Sequence, residues 1–372
     1  MKIAFDAKRA LNNASGLGNY SRNLLNALMQ NFPDEEYLLF SPMAKDEFFH
    51  QLNEEFKVIF PETKFQKSFH ALWRSFGIKN DLQKHRVNIY HGLSNEIPFN
   101  IQHSNFKTVV TIHDLIFLKH TEQYSFIDRK IYEAKTKYAA KHADKIIAVS
   151  SETKNDLIEF YGENEEKIEV IYPVIDSKYE IRNTKYEITA KYNLPQKYIL
   201  NVGSFFPRKN QKIIVEAFDL IKNKVEEDLV LVGTGGNTRS EIEALIRKKN
   251  LQTRVKIISS VSNEELPAIY RAASVFVFPS LYEGFGMPIV EALFSKVPVV
   301  ATKGGCFEEA GGKDSLYVNP NSAEEIADSI LKVLCDEQLK TRMVENGYAH
   351  AQTMTGKIIA EKTMSVYKNL IQ

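Results

Sequence analysis

Short, nearly continuous apolar runs alternate with longer stretches of helical periodicity along almost the whole chain, and this alternation constrains the fold most. Runs of this kind predict strands at 2–6, 37–40, 58–60, 88–91, 108–113 and 145–150. A second series follows at 198–202, 229–232, 255–259, 275–278 and 297–301. Strands that are apolar on both faces belong to parallel sheets covered by helices, which makes the chain α/β. Helical patterns at 210–223, 239–249, 264–272, 287–295 and 322–335 separate the second set. A final helical pattern, about 338–371, is expected to break near Gly347 and Gly356. With 372 residues, two doubly wound domains are the natural division. The expected extents are 1–178 and 179–354, with a C-terminal helix at about 355–372 packing back on the first.

Composition limits the function classes. Lys and Arg number 48 against 47 Asp and Glu, a net charge of +1, so no global field recruits nucleic acid. The two cysteines, Cys306 and Cys335, form no paired motif, which fits a reducing cytosol. No apolar run approaches the roughly 20 residues that span a bilayer. A cytoplasmic location, with at most peripheral contact at the inner membrane face, is therefore expected.

In parallel sheets ligands collect at the carboxyl ends of strands, and the chemistry-bearing residues fall there. The strand at 275–278 runs into Glu283-Gly-Phe-Gly-Met-Pro-Ile-Val-Glu291. Pro288 suits a first helical turn, so the amides around Phe285, Gly286 and Met287 are expected at a helix N-terminus, ready for phosphate or sugar hydroxyls. Glu291, one turn on, suits vicinal hydroxyls such as those of a ribose; Glu283, in the loop, suits those of a sugar. The strand at 198–202 leads into Gly203-Ser204 and then Pro207-Arg208-Lys209-Asn210, whose adjacent cations would stabilise a departing diphosphate. Gly233 ends the next strand and allows either a close-lying ligand or a simple turn.

These motifs resemble those of GT-B retaining glycosyltransferases of family GT4, with their Glu-x7-Glu signature, over most of the chain and most strongly from about 198 to 320. The resemblance implies two Rossmann-like doubly wound domains facing a cleft. It implies a nucleotide-diphosphate sugar as donor, GDP- or UDP-linked, with GDP-mannose suggested first by the Pro-Arg-Lys-Asn loop and the His-Asp strand end. A glycan or lipid-linked glycan acceptor in cell-surface polysaccharide synthesis follows from the same likeness. It assigns Glu291 to the donor ribose, Glu283 to the transferred sugar, and Arg208 and Lys209 to the diphosphate. The loop of Ser259, Val261 and Ser262 would lie at the nucleobase, and a backbone amide at Gly18 would meet the donor phosphate. His113, ending the strand at 108–113, would contact the transferred sugar, with Asp114 orienting the loop. Catalytic roles are thus expected for His113, Glu283, Arg208 and Lys209.

Gly16-Leu-Gly18-Asn-Tyr-Ser21 lacks the third glycine of a dinucleotide fingerprint. His91 is expected to shape the acceptor pocket. No Asp-x-Asp cluster stands at a strand end, so neither metal nor other cofactor is expected. The aromatic, basic stretch 65–86 suits either an anionic membrane surface or a core-packed helix with a solvated basic face. Lys296 replaces a helix-ending glycine of the family, so that cap should be built differently. A sugar-nucleotide epimerase, a phosphorylase and a non-catalytic nucleotide-sugar-binding subunit are the rival readings.

Overall fold

The computed structural model describes residues 1–121, 124–180, 185–259 and 261–372. Its backbone divides into two units, one of residues 1–174 with 354–372 and one of 175–353.

The first unit carries a seven-stranded, all-parallel sheet. Its strands are β1 (Lys2–Asp6), β2 (Glu36–Phe40), β3 (Lys57–Ile59), β4 (Ile89–Gly92), β5 (Lys107–Ile112), β6 (Lys145–Ala148) and β7 (Ile168–Val170). Their order is β3-β2-β1-β4-β5-β6-β7. The strand order reverses direction between β1 and β4, which pair in register from Ile3 opposite Ile89. Such a switch point leaves a crevice at the carboxyl ends of the two strands. Ile3, Ala4, Phe5, Ile89, Tyr90, Val109 and Val110 are fully buried, as a sheet sandwiched between helices requires.

The second unit repeats the plan with six parallel strands. They are β8 (Tyr198–Val202), β9 (Asp228–Val232), β10 (Val255–Ile258), β11 (Val275–Phe278), β12 (Val299–Thr302) and β13 (Leu316–Val318). The order β10-β9-β8-β11-β12-β13 puts the switch point between β8 and β11. Helix Gln211–Ile221 buries Ile213, Ile214, Val215, Ala217 and Phe218 against this sheet.

Two expectations about helices are corrected. The last helical pattern does not break at Gly347, which lies inside the helix Glu337–Ala351. A Cβ there would come within 2.6 Å of Leu293 Cδ2, so the glycine admits the neighbouring helix Met287–Phe294. The break falls at 352–355, and helix Gly356–Ile371 then packs on Gly16–Asn31 of the first unit. The cap at Lys296 is also not built differently. Lys296 itself takes the left-handed conformation, with φ +61°. Its amide bonds to Leu293 O (3.0 Å) and that of Val297 to Ala292 O (2.9 Å), which is the Schellman pattern a glycine would make. Its ammonium lies over the Tyr348 ring at 4.8 Å.

Candidate functional site

In the second unit the residues expected at the donor converge on the switch point. After β8 the chain turns through Gly203 and Ser204, and Gln211 Nε2 donates to both of their carbonyls (3.1 and 3.0 Å). A single 3-10 turn, Pro207–Lys209, then presents the two cations. After β11 the Leu281 amide bonds to Arg208 O at 2.7 Å and ties the two loops together. Glu283 Oε1 lies 2.8 Å from Arg208 Nη1 and 2.5 Å from Lys209 Nζ. Lys209 also sits 5.1 Å over the Phe278 ring. Burial pushes the Glu283 carboxyl up, but Lys209 and Arg208 outweigh it and hold the group below its ordinary range. One carboxylate thus pairs with both cations and leaves the cluster with a net charge of about +1.

Gly286, with φ +109°, caps the helix Met287–Phe294 and has Pro288 in its first turn. The first amides of any helix have no partner within it, and Gly286 and Met287 supply such N–H groups in the turn that follows Glu283 along the chain, where Phe285 is buried. Glu291 accepts from Tyr270 Oη at 2.9 Å and from the Tyr179 hydroxyl. Burial raises its pKa, and these bonds only partly oppose that.

Gly233 is explained without a ligand: a Cβ there would fall 2.0 Å from Gly203 O, so the glycine lets the loops after β8 and β9 touch. Val261 lies half-buried after β10, and Ser259 Oγ accepts from Arg239. Ser260, in the same expected nucleobase loop, lies outside the described residues.

In the first unit the site lies at the switch between β1 and β4. A cavity of about 280 Å³ opens there, lined by Lys8 and Arg9 after β1, by Asn95 and Glu96 after β4, and by His113 and Asp114 after β5. The His113 Nε2 is 2.9 Å from Leu93 O. A carbonyl only accepts, so Nε2 carries the proton and Nδ1 is an acceptor. Burial draws His113 down to about 4 against that bond, and the charge of Arg9 adds to the depression. The ring is therefore neutral near pH 7. Tyr20 packs edge-on against it at 4.6 Å. Asp114 accepts from the Ile116 amide through Oδ1 and from Asn95 Nδ2 through its carbonyl, which braces the loop.

Several expectations do not survive. The amide of Gly18 already donates to Ser15 O at 2.9 Å, so it is not presented to a phosphate. Its lack of a side chain is steric, since a Cβ would meet Asn13 O at 1.8 Å. His91 does not reach the cavity. It is fully buried between Tyr367 Oη (2.6 Å) and Thr111 Oγ1 (2.8 Å) and holds the C-terminal helix to the sheet. The stretch 65–86 packs on the core through its second part: after a short helix, Lys64–Ser68, residues 70–84 are helical throughout, with a π-helical turn at Trp73–Gly77, and bury Trp73, Ile78 and Leu82, while Phe65, Phe69, Leu72 and Phe76 are at least half exposed.

Some of the site gave no local motif. Arg74 donates through Nε to Asp6 at 2.8 Å and through Nη2 to Glu96 at 2.5 Å, and Lys135 reaches Glu96 at 2.8 Å. Four segments supply this buried network. Only Asp6, a charge ending an apolar strand, was a visible signal.

Comparison with known proteins accords with this geometry. The family described as glycosyl transferases group 1 matches residues 185–350, and Glycosyltransferase Family 4 matches 14–179. O-antigen chain mannosyltransferase B of Escherichia coli is 28% identical over 295 residues, covering 78% of this chain and 76% of that protein. The serotype-specific mannosyltransferase WbdA of Escherichia coli is 24% identical over 303 residues, 77% of this chain but only 36% of its own length. Among solved structures, the sucrose-phosphate synthase of Thermosynechococcus elongatus superposes with a TM-score of 0.78 at 22% identity, covering 100% of this chain and 99% of that one.

Proposed function

The chain belongs to the group 1 glycosyl transferases of family 4, enzymes of GT-B fold, and from that membership we propose a retaining mannosyl transfer from GDP-mannose to a glycan or lipid-linked glycan. The observation that carries the proposal is the cluster of Arg208, Lys209 and Glu283 at the β8–β11 switch point. Mannose is supported by the names of the two Escherichia coli relatives, which are mannosyltransferases. UDP-linked hexoses are the second choice of donor.

Arg208 and Lys209 exchange the Glu283 carboxylate for the donor diphosphate, a trade of one anion for another that leaves neither cation bare. Glu283 is then released toward the hydroxyls of the sugar. Glu291 accepts from the ribose hydroxyls in place of its tyrosines. In the front-face route the bond from the anomeric carbon to the diphosphate oxygen breaks. The acceptor oxygen bonds to the same face, and its proton passes to the departing phosphate oxygen. The two cations and the amides of Gly286 and Met287 stabilise the leaving charge. Neutral His113, with Nδ1 as acceptor, lines the sugar or acceptor side. Transfer by this route needs no metal.

Thermal-shift titration with GDP, UDP and ADP, followed by donor turnover with and without added acceptor in EDTA, tests the proposal. Stabilisation by GDP and acceptor-dependent release of GDP are expected. Donor consumption that ignores acceptor points to an epimerase or hydrolase and ends the transferase assignment; a trapped covalent glycosyl-enzyme ends the front-face route.

A further inference from the structure

The cavity of the first unit is lined on one side by two cations that have no anion. Among the described residues, neither Lys8 Nζ nor the Arg9 guanidinium forms an ion pair, and Arg9 Nε is buried without a hydrogen-bond partner. Their neighbours differ. Arg74 is held between Asp6 and Glu96, and Lys135 pairs with Glu96, so the nearby carboxylates are already engaged. Lys8 is drawn below its ordinary pKa by burial, with Arg74 adding to the depression. Holding charge partly out of water with no partner costs stability unless a ligand supplies the counter-charge.

Part of the cavity wall is apolar or aromatic, formed by Leu17, Phe117, Tyr124 and Tyr132. Tyr132 is 43% exposed. Along the same helix, Phe126–His142, Ile131 is 46% exposed, Ile127 70% and Phe126 68%. Ile127 and Ile131 are four residues apart and so share one face.

Resting on the transferase reading, we propose that Lys8 and Arg9 bind a phosphate or diphosphate carried by the acceptor. Two adjacent cations on a short helix after β1, one a planar fork and one a point charge, suit a tetrahedral dianion. The neutral His113 beside them adds no charge, and its Nδ1 accepts from a hydroxyl of the acceptor rather than from the phosphate. The shared chemistry is a phosphate monoester or diester, borne either by a prenyl-type lipid or by a soluble sugar phosphate.

Calorimetric titration of the full chain distinguishes these. The probes are farnesyl phosphate, farnesol, mannose 1-phosphate and inorganic phosphate, applied to wild type, Arg9→Gln and Lys8→Gln, each first checked for an unchanged melting temperature. A phosphorylated probe is expected to bind wild type and to lose at least tenfold in affinity in both variants. Farnesyl phosphate binding far above mannose 1-phosphate assigns the phosphate to a lipid; the reverse assigns it to a soluble acceptor. Failure of every phosphorylated probe, equal binding by the variants, or farnesol binding as well as its phosphate would overturn the proposal. So would displacement of the probe by stoichiometric GDP or UDP, which would give the cations to the donor. No donor turnover enters the measurement, so a phosphate site without transferase activity, or the converse, would be seen as such.

Discussion

At the residue scale the two glutamates that anchor the donor motif differ in what they are bonded to. Glu283 is matched by two cations, whereas Glu291 is enclosed with two phenolic donors, feels Lys178 only through its charge, and has a raised pKa because burial outweighs them. Glu291→Gln should therefore leave the melting temperature unchanged or slightly higher, because a desolvated carboxylate is removed. It should weaken nucleotide affinity by about 10- to 100-fold, the worth of roughly 1.5–3 kcal/mol in hydrogen bonds to a charged group. Titration of GDP against the variant measures this; undiminished affinity would remove Glu291 from the ribose. His91 gives a pH prediction. Burial depresses it to about 3, with the nearby His113 adding to the effect. Its folded pKa is below the unfolded value near 6.5, so the unfolded chain binds the extra proton. The neutral ring's contribution is complete above pH 6.5 and is lost as pH falls toward 3. By linkage this single group weakens folding by about 2 kcal/mol between pH 6.5 and 5. Urea unfolding midpoints at pH 7 and 5 should fall together less in His91→Gln than in wild type. An equal fall in both would show that another group carries the dependence. Proximity to a strand end marked both His91 and His113 in the sequence, but only depth in the sheet separates a core histidine from a cavity one. Neither spacing nor composition encodes that depth.

At the element scale, eleven of the thirteen strands among the described residues were legible because buried parallel strands are apolar throughout, and their ends moved by only a residue or two; the three-residue edge strands β7 and β13, less buried, gave no such run. The strand expected at 108–113 is Lys107–Ile112, and the helix expected at 287–295 is Met287–Phe294. What misled was glycine. Gly347 reads locally as a breaker, yet its role is set by Leu293 on a different helix, and Gly233 owes its place to the carbonyl of Gly203. Lys296 misled in the opposite sense, since a residue with a Cβ was expected to force a new cap and instead adopts the glycine conformation. A left-handed residue with a side chain costs about 1–2 kcal/mol, and the cation–π contact with Tyr348 offsets about half of that. Lys296→Gly should then raise the melting temperature by about 1–3 °C, at roughly 2–4 °C per kcal/mol for a unit of this size. Differential scanning calorimetry checks it. A lower melting temperature would show that the Tyr348 contact outweighs the backbone strain.

At the scale of the whole molecule, the near-neutral balance of charge hides local asymmetry. A net charge of +1 supplies no long-range attraction to an anionic surface. No helix among the described residues is long and apolar enough to cross a membrane. Any membrane contact must therefore come from a patch, and the sequence left two patterns open for 65–86 because its aromatic spacing suits burial and exposure equally. The buried Trp73, whose Nε1 donates to Asp81 at 2.7 Å, together with Ile78 and Leu82, fixes which side of the stretch faces the core. That choice turns Phe65, Phe69, Leu72 and Phe76 outward, near Lys64 and Lys67 in sequence. Aromatic side chains inserted at the headgroup boundary beside lysines bind anionic bilayers, through apolar burial plus about 1 kcal/mol per cation. Flotation with vesicles containing anionic lipid should carry the wild-type chain upward. Phe65→Ser combined with Phe69→Ser should abolish this without changing the melting temperature, since neither side chain supports the core. Vesicles of neutral lipid, or anionic vesicles in high salt, should recover much less protein, because the lysine term is screened. Equal flotation of the double variant would move the membrane contact to another patch, and no flotation of wild type would leave these aromatics without a membrane role.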